Sequence, residues 1–340
     1  MSDFLLHNGQ RHAGSMARTY CAEVSVVEFN PFQETWITLS DGRKGPGTCL
    51  GCGDTPCASK SPSELALPGK LDEFPGDPNL EVCPTGALRW NPVEEVIGVA
   101  DSCIGCGLCV IRCLYGALSL VDGYRAQVES GDPSGLTRPE REMGEHTSPS
   151  RVGEISTLDA PAARGLQETV LQIGGAKATL LIRNLLHEIG LSARTRRRGD
   201  TNVRMDAVGY SRAQRPFVAE IELAAVLESP RALMEDVAVL HSRYGYTVGS
   251  IDPVSIVLTL PNVRSEYYQV IRDIESVLGL RCRTITVGAL VALLWHQQRI
   301  DGFEGDAFTV GETSVEIESV LQASIDDLVE PYPGAFNPAK

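Results

Sequence analysis

Residues 103–113 read CIGCGLCVIRC, placing cysteines at Cys103, Cys106, Cys109 and Cys113. The first three sit close together, and Gly105 and Gly107 let the backbone curl around what they hold. This spacing suits one face of an iron–sulfide cube, with the fourth cysteine on a turn that leads away. A tetrahedral zinc site more often uses two separated pairs. The motif has an earlier echo. Cys49-Leu-Gly-Cys52-Gly53 matches Cys103-Ile-Gly-Cys106-Gly107, and Cys83-Pro-Thr-Gly-Ala-Leu88 matches Cys113-Leu-Tyr-Gly-Ala-Leu118. The order is motif, tail, motif, tail: an internal two-fold repeat.

The 340-residue chain holds 10 cysteines. Crowded between Cys49 and Cys113, most of them point to metal or redox chemistry, the alternatives being a zinc-ribbon pair or a disulfide scaffold. Cys21 and Cys282 fall outside the pattern and read as small buried hydrophobes. No apolar run approaches the ~18–20 residues needed to span a bilayer. Met1 to Ala17 has no signal-type apolar segment. The expectation is a cytoplasmic protein without membrane contact.

The net charge of −14 is uneven. Residues 1–150 carry 11 Lys/Arg against 20 Asp/Glu, residues 151–300 carry 18 against 15, and residues 301–340 carry 1 against 9. Only the middle block could attract a polyanion. The acidic N-terminal block suits a basic redox partner protein equally with a merely solvated face.

The cysteine pattern resembles the bacterial dicluster ferredoxin family, over residues 21–128. The resemblance implies two [4Fe-4S] clusters, ligated in a crossed pattern. Cys49, Cys52, Cys57 and Cys113 would hold one; Cys103, Cys106, Cys109 and Cys83 would hold the other. Two features depart from the family: an insert at residues 58–82, expected to loop out, and Leu114 where a proline follows the last cysteine.

Residues 129–165, rich in Ser, Gly, Pro and mixed charge, read as a flexible linker. From 166 to 300 the pattern alternates. Helices are expected at Ala178–Ile189, from Ser229 as N-cap to Tyr244, from Ser265 to Leu278 and from Gly288 to Gln298. Strands are expected at Met205–Tyr210, Phe217–Leu223, Ser255–Leu260 and Thr284–Val287. Thr313-x-x-Glu316 would cap a last acidic helix within residues 301–340. The whole reads as an α+β multidomain protein.

Successive strands would set Asp206 beside Glu220, with Glu222 on the same face as Glu220. Three carboxylates there suit Mg²⁺. This set resembles the core of the PD-(D/E)-x-K nuclease superfamily. The resemblance implies a restriction-endonuclease-like αβββαβ domain with Asp206, Glu220 and Glu222 catalytic and metal-binding, and Glu188 as a helix-borne acid. Glu222 stands where most members carry lysine, and Met205 where they carry proline. Arg194, Arg196, Arg197 and Arg198, read as a loop before the acid strand, could neutralise DNA phosphates. Three readings follow: an electron carrier with a docking module, a Mg-dependent DNA nuclease with structural or regulatory clusters, and a nuclease-like fold that binds DNA without cutting.

Overall fold

The computed structural model describes residues 55–93, 96–113, 117–121, 125–128, 168–224, 226–259, 265–295 and 299–303, with Thr38–Leu39, Cys49, Leu136–Thr137, Leu166, Pro261 and Phe308. The expected linker lies outside these residues except at Leu136–Thr137, which form a strand instead; the final acidic helix lies outside them, as do Cys21 and Cys52. The chain divides into two units. One takes residues up to Lys60 and from Glu81 to Thr157; the other takes Ser61–Leu80 and everything from Leu158 on.

The cysteine unit is built from small pieces. β1 (Thr38–Leu39) pairs antiparallel with β6 (Leu136–Thr137). β2 (Leu88–Asn91) and β3 (Val96–Val99) form one antiparallel pair, and β4 (Leu118–Val121) and β5 (Arg125–Val128) another. The short helix α1 (Leu108–Arg112) lies between them. β2 starts five residues after Cys83 and β4 five after Cys113, so the repeat in the sequence is also a repeat of structure.

The second unit is mixed α/β. In chain order it runs α2 (Gly175–Glu188), β7 (Ser192–Thr195), β8 (Ala207–Tyr210), β9 (Pro216–Glu222), α3 (Ser229–Tyr244), β10 (Asp252–Val257), α4 (Glu266–Leu278), β11 (Arg283–Thr286) and α5 (Val287–Trp295). The sheet is ordered β11-β10-β9-β8-β7. β8 is antiparallel to both neighbours, while β9, β10 and β11 run parallel through helical crossovers. Gly245 ends α3 and Gly279 ends α4, each in the left-handed region where glycine is unstrained. The Ser265 side chain accepts from the Tyr267 amide to open α4, as expected.

Three local expectations are corrected. Ser229 is inside α3, and its hydroxyl bonds to Ser255 on β10 instead of capping. β10 begins at Asp252 and includes Pro253, where a boundary was expected. β11 joins β10 only from Val254, so at Pro253 one side of the strand is still an edge, where a missing N–H is tolerated. The segment before Asp206, expected as a loop, contains β7.

The insert leaves the cysteine unit between Ser61 and Leu80, and that stretch forms part of the α/β core. Leu67, Leu71 and Phe74 join Val208, Tyr210, Val218, Leu233, Val237, Leu240, Tyr267 and Ile271 in one buried cluster. Arg194 on β7 donates to the carbonyls of Leu65, Asp72 and Phe74 and to the Asp72 carboxylate. Arg183 on α2, fully buried, donates to the Asn79 carbonyl at 2.7 Å. Burial pulls its pKa down to about 10, with Asp77 and Glu64 opposing the fall. The insert also covers the sheet edge. Asp77 N–H donates to the Thr195 carbonyl, Arg197 N–H donates to the Pro75 carbonyl, and Gly76 bridges Arg196. An open β7 edge would be a template for mispairing.

Candidate functional site

Two sets of ionisable side chains are gathered, one in each unit. In the cysteine unit, Gly105 and Gly107 take φ of 67° and 83°, which turns the chain tightly between Cys103 and α1. α1 then carries Cys109, and Cys113 is its C-cap. The repeat fixes sulfur hydrogen bonds as well. Ala87 N–H donates to Cys83 Sγ at 3.2 Å, and Ala117 N–H donates to Cys113 Sγ at 3.2 Å. Ala126 N–H, on β5, donates to Cys103 Sγ at 3.5 Å. All described cysteines are free, so no disulfide scaffold forms among them.

Mutual electrostatics link the buried thiols. Burial pushes the Cys57 thiol up, and Cys113 and Cys49 push it further. Burial pushes Cys106 up to about 12, helped by Cys83 and Cys103 and opposed by the Leu108 backbone. Cys109 is raised by burial first, then by Cys106, Cys103, Cys57 and Cys83. Cys57 thus feels Cys113 and Cys49, Cys106 feels Cys83 and Cys103, and Cys109 feels members of both sets. Cys282 is separate: it is buried in the α/β core, and burial lifts its thiol to about 12.

In the α/β unit the register brings Asp206 and Glu220 together. Ala207 pairs with Ala219, so the residues just beyond them are neighbours. Side chains alternate along a strand, so Glu220 and Glu222 share the Val218 face, over which α3 packs. α3 adds an acid not expected from the sequence, Asp236, fully buried. Its place on the Leu233, Val237, Leu240 stripe was the available signal: an acid on an apolar helix face.

Asp206 is already engaged. Its Oδ2 accepts from the Ile221 amide at 3.1 Å, and its Oδ1 accepts from Arg196 Nη2 at 3.2 Å. Burial raises the Glu220 carboxyl, with Asp206 and Asp236 adding repulsion. Burial also raises Asp236, partly offset by Glu220 and Arg196. Glu222 is raised by burial, then by Asp206 and Glu228. Asp236 Oδ2 is buried without a hydrogen-bond partner. Among the described residues, no group of three or more His, Cys, Asp or Glu side chains is arranged to hold a metal ion.

The other expected residues are dispersed. Glu188 ends α2, and β7 begins beside Tyr210, at the end of the sheet away from Asp206. The arginines do not form a free loop cluster. Arg194 serves the insert, Arg196 serves Asp206 and the Val203 carbonyl, and Arg197 and Arg198 are exposed. No described helix is long and apolar enough to cross a membrane.

The fold is mixed α/β, and its cysteine groups are of a kind that iron–sulfur proteins use. The chain is 29% identical over 175 residues to the β subunit of an NADH-dependent phenylglyoxylate dehydrogenase from Aromatoleum evansii, covering 43% of this chain and 38% of that one. It is 28% identical over 109 residues to an uncharacterized ferredoxin from Methanocaldococcus jannaschii, covering 32% and 52%. The chain thus spans about half, or less, of the length of these curated relatives. No family model matches, and no solved structure matches. The likeness ties the chain to ferredoxin-type, electron-transfer-related proteins; it lends no support to a nuclease.

Proposed function

We propose that the cysteine unit binds two [4Fe-4S] clusters and passes single electrons to or from a redox partner protein. Cys49, Cys52, Cys57 and Cys113 would hold one cluster, and Cys83, Cys103, Cys106 and Cys109 the other. The observation that supports this is the repeated geometry around Cys83 and Cys113: each sulfur accepts from an alanine amide four residues on, and a strand begins one residue later.

The donor set fits the group. Buried thiols crowd one another and keep their protons, so these sites are costly to ionise unless iron takes the proton's place. When bound, such clusters supply one-electron chemistry over about −700 to +450 mV. The chain does the rest. Amides of Ala87, Ala117 and Ala126 donate to thiolate sulfur and stabilise added negative charge, and burial of Cys57, Cys106 and Cys109 keeps water from the ligands. Anaerobic purification followed by iron and acid-labile sulfide analysis tests the proposal. It expects about eight of each per chain; about four would leave one cluster, and sulfide-free protein would end it.

A second reading rests on a different observation, the unpartnered Asp236 Oδ2 beside the raised Glu220. The element order α2-β7-β8-β9-α3-β10 supports the restriction-endonuclease-like expectation, and Mg²⁺ held by Asp206, Glu220 and Glu222 would serve DNA cleavage. A divalent ion would have to displace the proton on Glu220 and the Arg196 guanidinium on Asp206. A cleavage assay with Mg²⁺ or Mn²⁺ decides the matter. Activity lost in both Glu220→Ala and Asp236→Asn supports this reading; equal activity in wild type and variants removes it.

A further inference from the structure

The chain leaves the cysteine unit between Lys60 and Ser61 and returns to it between Leu80 and Glu81. Both passages adjoin cysteines: Cys57 stands just before the first, and Cys83 just after the second. Within the cysteine unit the two ends are held to each other. The Val82 amide donates to the Ala58 carbonyl at 2.8 Å, and Ser59 bridges Glu81 in antiparallel fashion. Lys60 and Val82 are buried. Beyond this neck, residues 61–80 are fixed in the α/β unit. Leu67, Leu71 and Phe74 lie in its core, and the carbonyls of Leu65, Asp72 and Asn79 accept from Arg194 and Arg183. Residues 58–82 thus form a loop gripped at its ends by one unit and along its middle by the other.

The described part of the cysteine unit consists of strands of two or four residues and a helix of five. Elements so short bury little apolar surface, so their order depends on what the cysteines bind. On the two-cluster reading Cys57 and Cys83 are both ligands, and bound clusters fix both ends of the loop. Closing a loop in advance removes an entropy loss that the α/β unit would otherwise bear when it takes up residues 61–80. We propose that residues 61–80 make cluster occupancy and folding of the α/β unit mutually dependent. Loading the cysteines raises the cost of opening the α/β unit, and losing the clusters lowers it. The linkage is reciprocal: a folded α/β unit holds the ends of the loop in place and so helps to retain the clusters. The α/β unit then reports the state of the clusters through the chain, without a ligand of its own. The inference rests on the two-cluster reading.

The test is hydrogen exchange of the full chain, read by peptide mass spectrometry before and after a chelator strips the clusters. Iron and sulfide are counted on the same samples. Twenty-five residues separate Cys57 from Cys83. In wild type, amides of residues 61–80, β8 and β9 should exchange faster after stripping, by up to about a hundredfold, the closure factor of a loop of this length. A second protein carries a flexible Gly/Ser stretch after Lys60 and another before Glu81, with every cysteine and every insert residue kept. There the difference between loaded and stripped protein should shrink. Reciprocally, Phe74→Ala should lose iron to a chelator faster than wild type, although Phe74 and the proposed ligands lie in different units. The inference is overturned if β8 and β9 in wild type exchange alike with and without clusters. It is equally overturned if the difference survives the flexible stretches undiminished, or if Phe74→Ala holds its iron as wild type does. Wild type isolated without sulfide would defeat the cluster reading and the inference with it, an outcome distinct from unchanged exchange in protein that carries clusters.

Discussion

The cysteine unit and the α/β unit both bury groups that would rather be charged in water, and they settle the cost differently. Around the cysteines, burial and mutual crowding push Cys57, Cys106 and Cys109 up, while backbone amides point at the sulfurs of Cys83, Cys103 and Cys113. Around the carboxylates, the chain itself supplies part of the compensation. Arg196 and the Ile221 amide occupy Asp206, and Glu220 keeps a proton next to Asp236. On the proposed reading the thiols take their charge balance from a metal-bearing group, whereas the acids have found much of theirs within the fold. That difference is why the iron–sulfur reading ranks first.

The comparison breaks most visibly at the insert. Replacing residues 61–80 by a Gly/Ser linker of equal length should abolish cooperative unfolding of the α/β unit, because it removes three core side chains, the fixed Asn79 contact of Arg183 and the acceptors of Arg194. Differential scanning calorimetry reads this directly. If the unit depends on its own hydrophobic core and not on the insert, its transition would persist. A gentler version is Phe74→Ala, which should cost ~3–5 kcal/mol by emptying a fully buried aromatic site. A denaturation midpoint unchanged from wild type would mean that the site collapses or that the insert packs loosely.

A smaller effect sharpens the acid side. The Glu220 carboxyl is raised above its ordinary 4.5, so the folded α/β unit binds a proton that the unfolded chain releases. Its contribution to stability is therefore complete below pH 4.5 and is lost as pH climbs through the raised folded-state value. Glu220→Gln keeps the neutral form at every pH. The variant should flatten the decline in melting temperature with rising pH and leave it nearly unchanged near pH 4. A steeper decline in the variant would show that ionised Glu220 stabilises the fold.

How far the sequence could be read follows from where each signal lies. The cysteine groups are local: glycines and thiols at fixed short spacings carry their own geometry, and the tails at Cys83 and Cys113 repeat it. α2, α3 and α4 were legible from their apolar stripes and terminal glycines. The insert was not, because its two short 3-10 turns (Pro62–Leu65 and Gly69–Glu73) have no period of their own. The partners that fix it, Arg183 and Arg194, stand more than a hundred residues away. β7 escaped notice because Ser192-Ala-Arg-Thr195 shows a single apolar residue, and the arginines in and after it look like a solvated loop until their acceptors are known. Asp206, Glu220 and Glu222 could be placed together from strand order. Asp236 could not, since its role depends on how α3 crosses the sheet. Glu188 was misplaced for the converse reason: its nearness in sequence hides its position at the far end of β7.

The most direct test of the central claim is the EPR spectrum of the anaerobically isolated, chemically reduced protein. Two cubes held within this one cysteine unit should give a broadened signal from magnetically interacting centres at full reduction, resolving to a simpler one when only half reduced. A silent spectrum from a colourless protein that carries zinc would contradict the account.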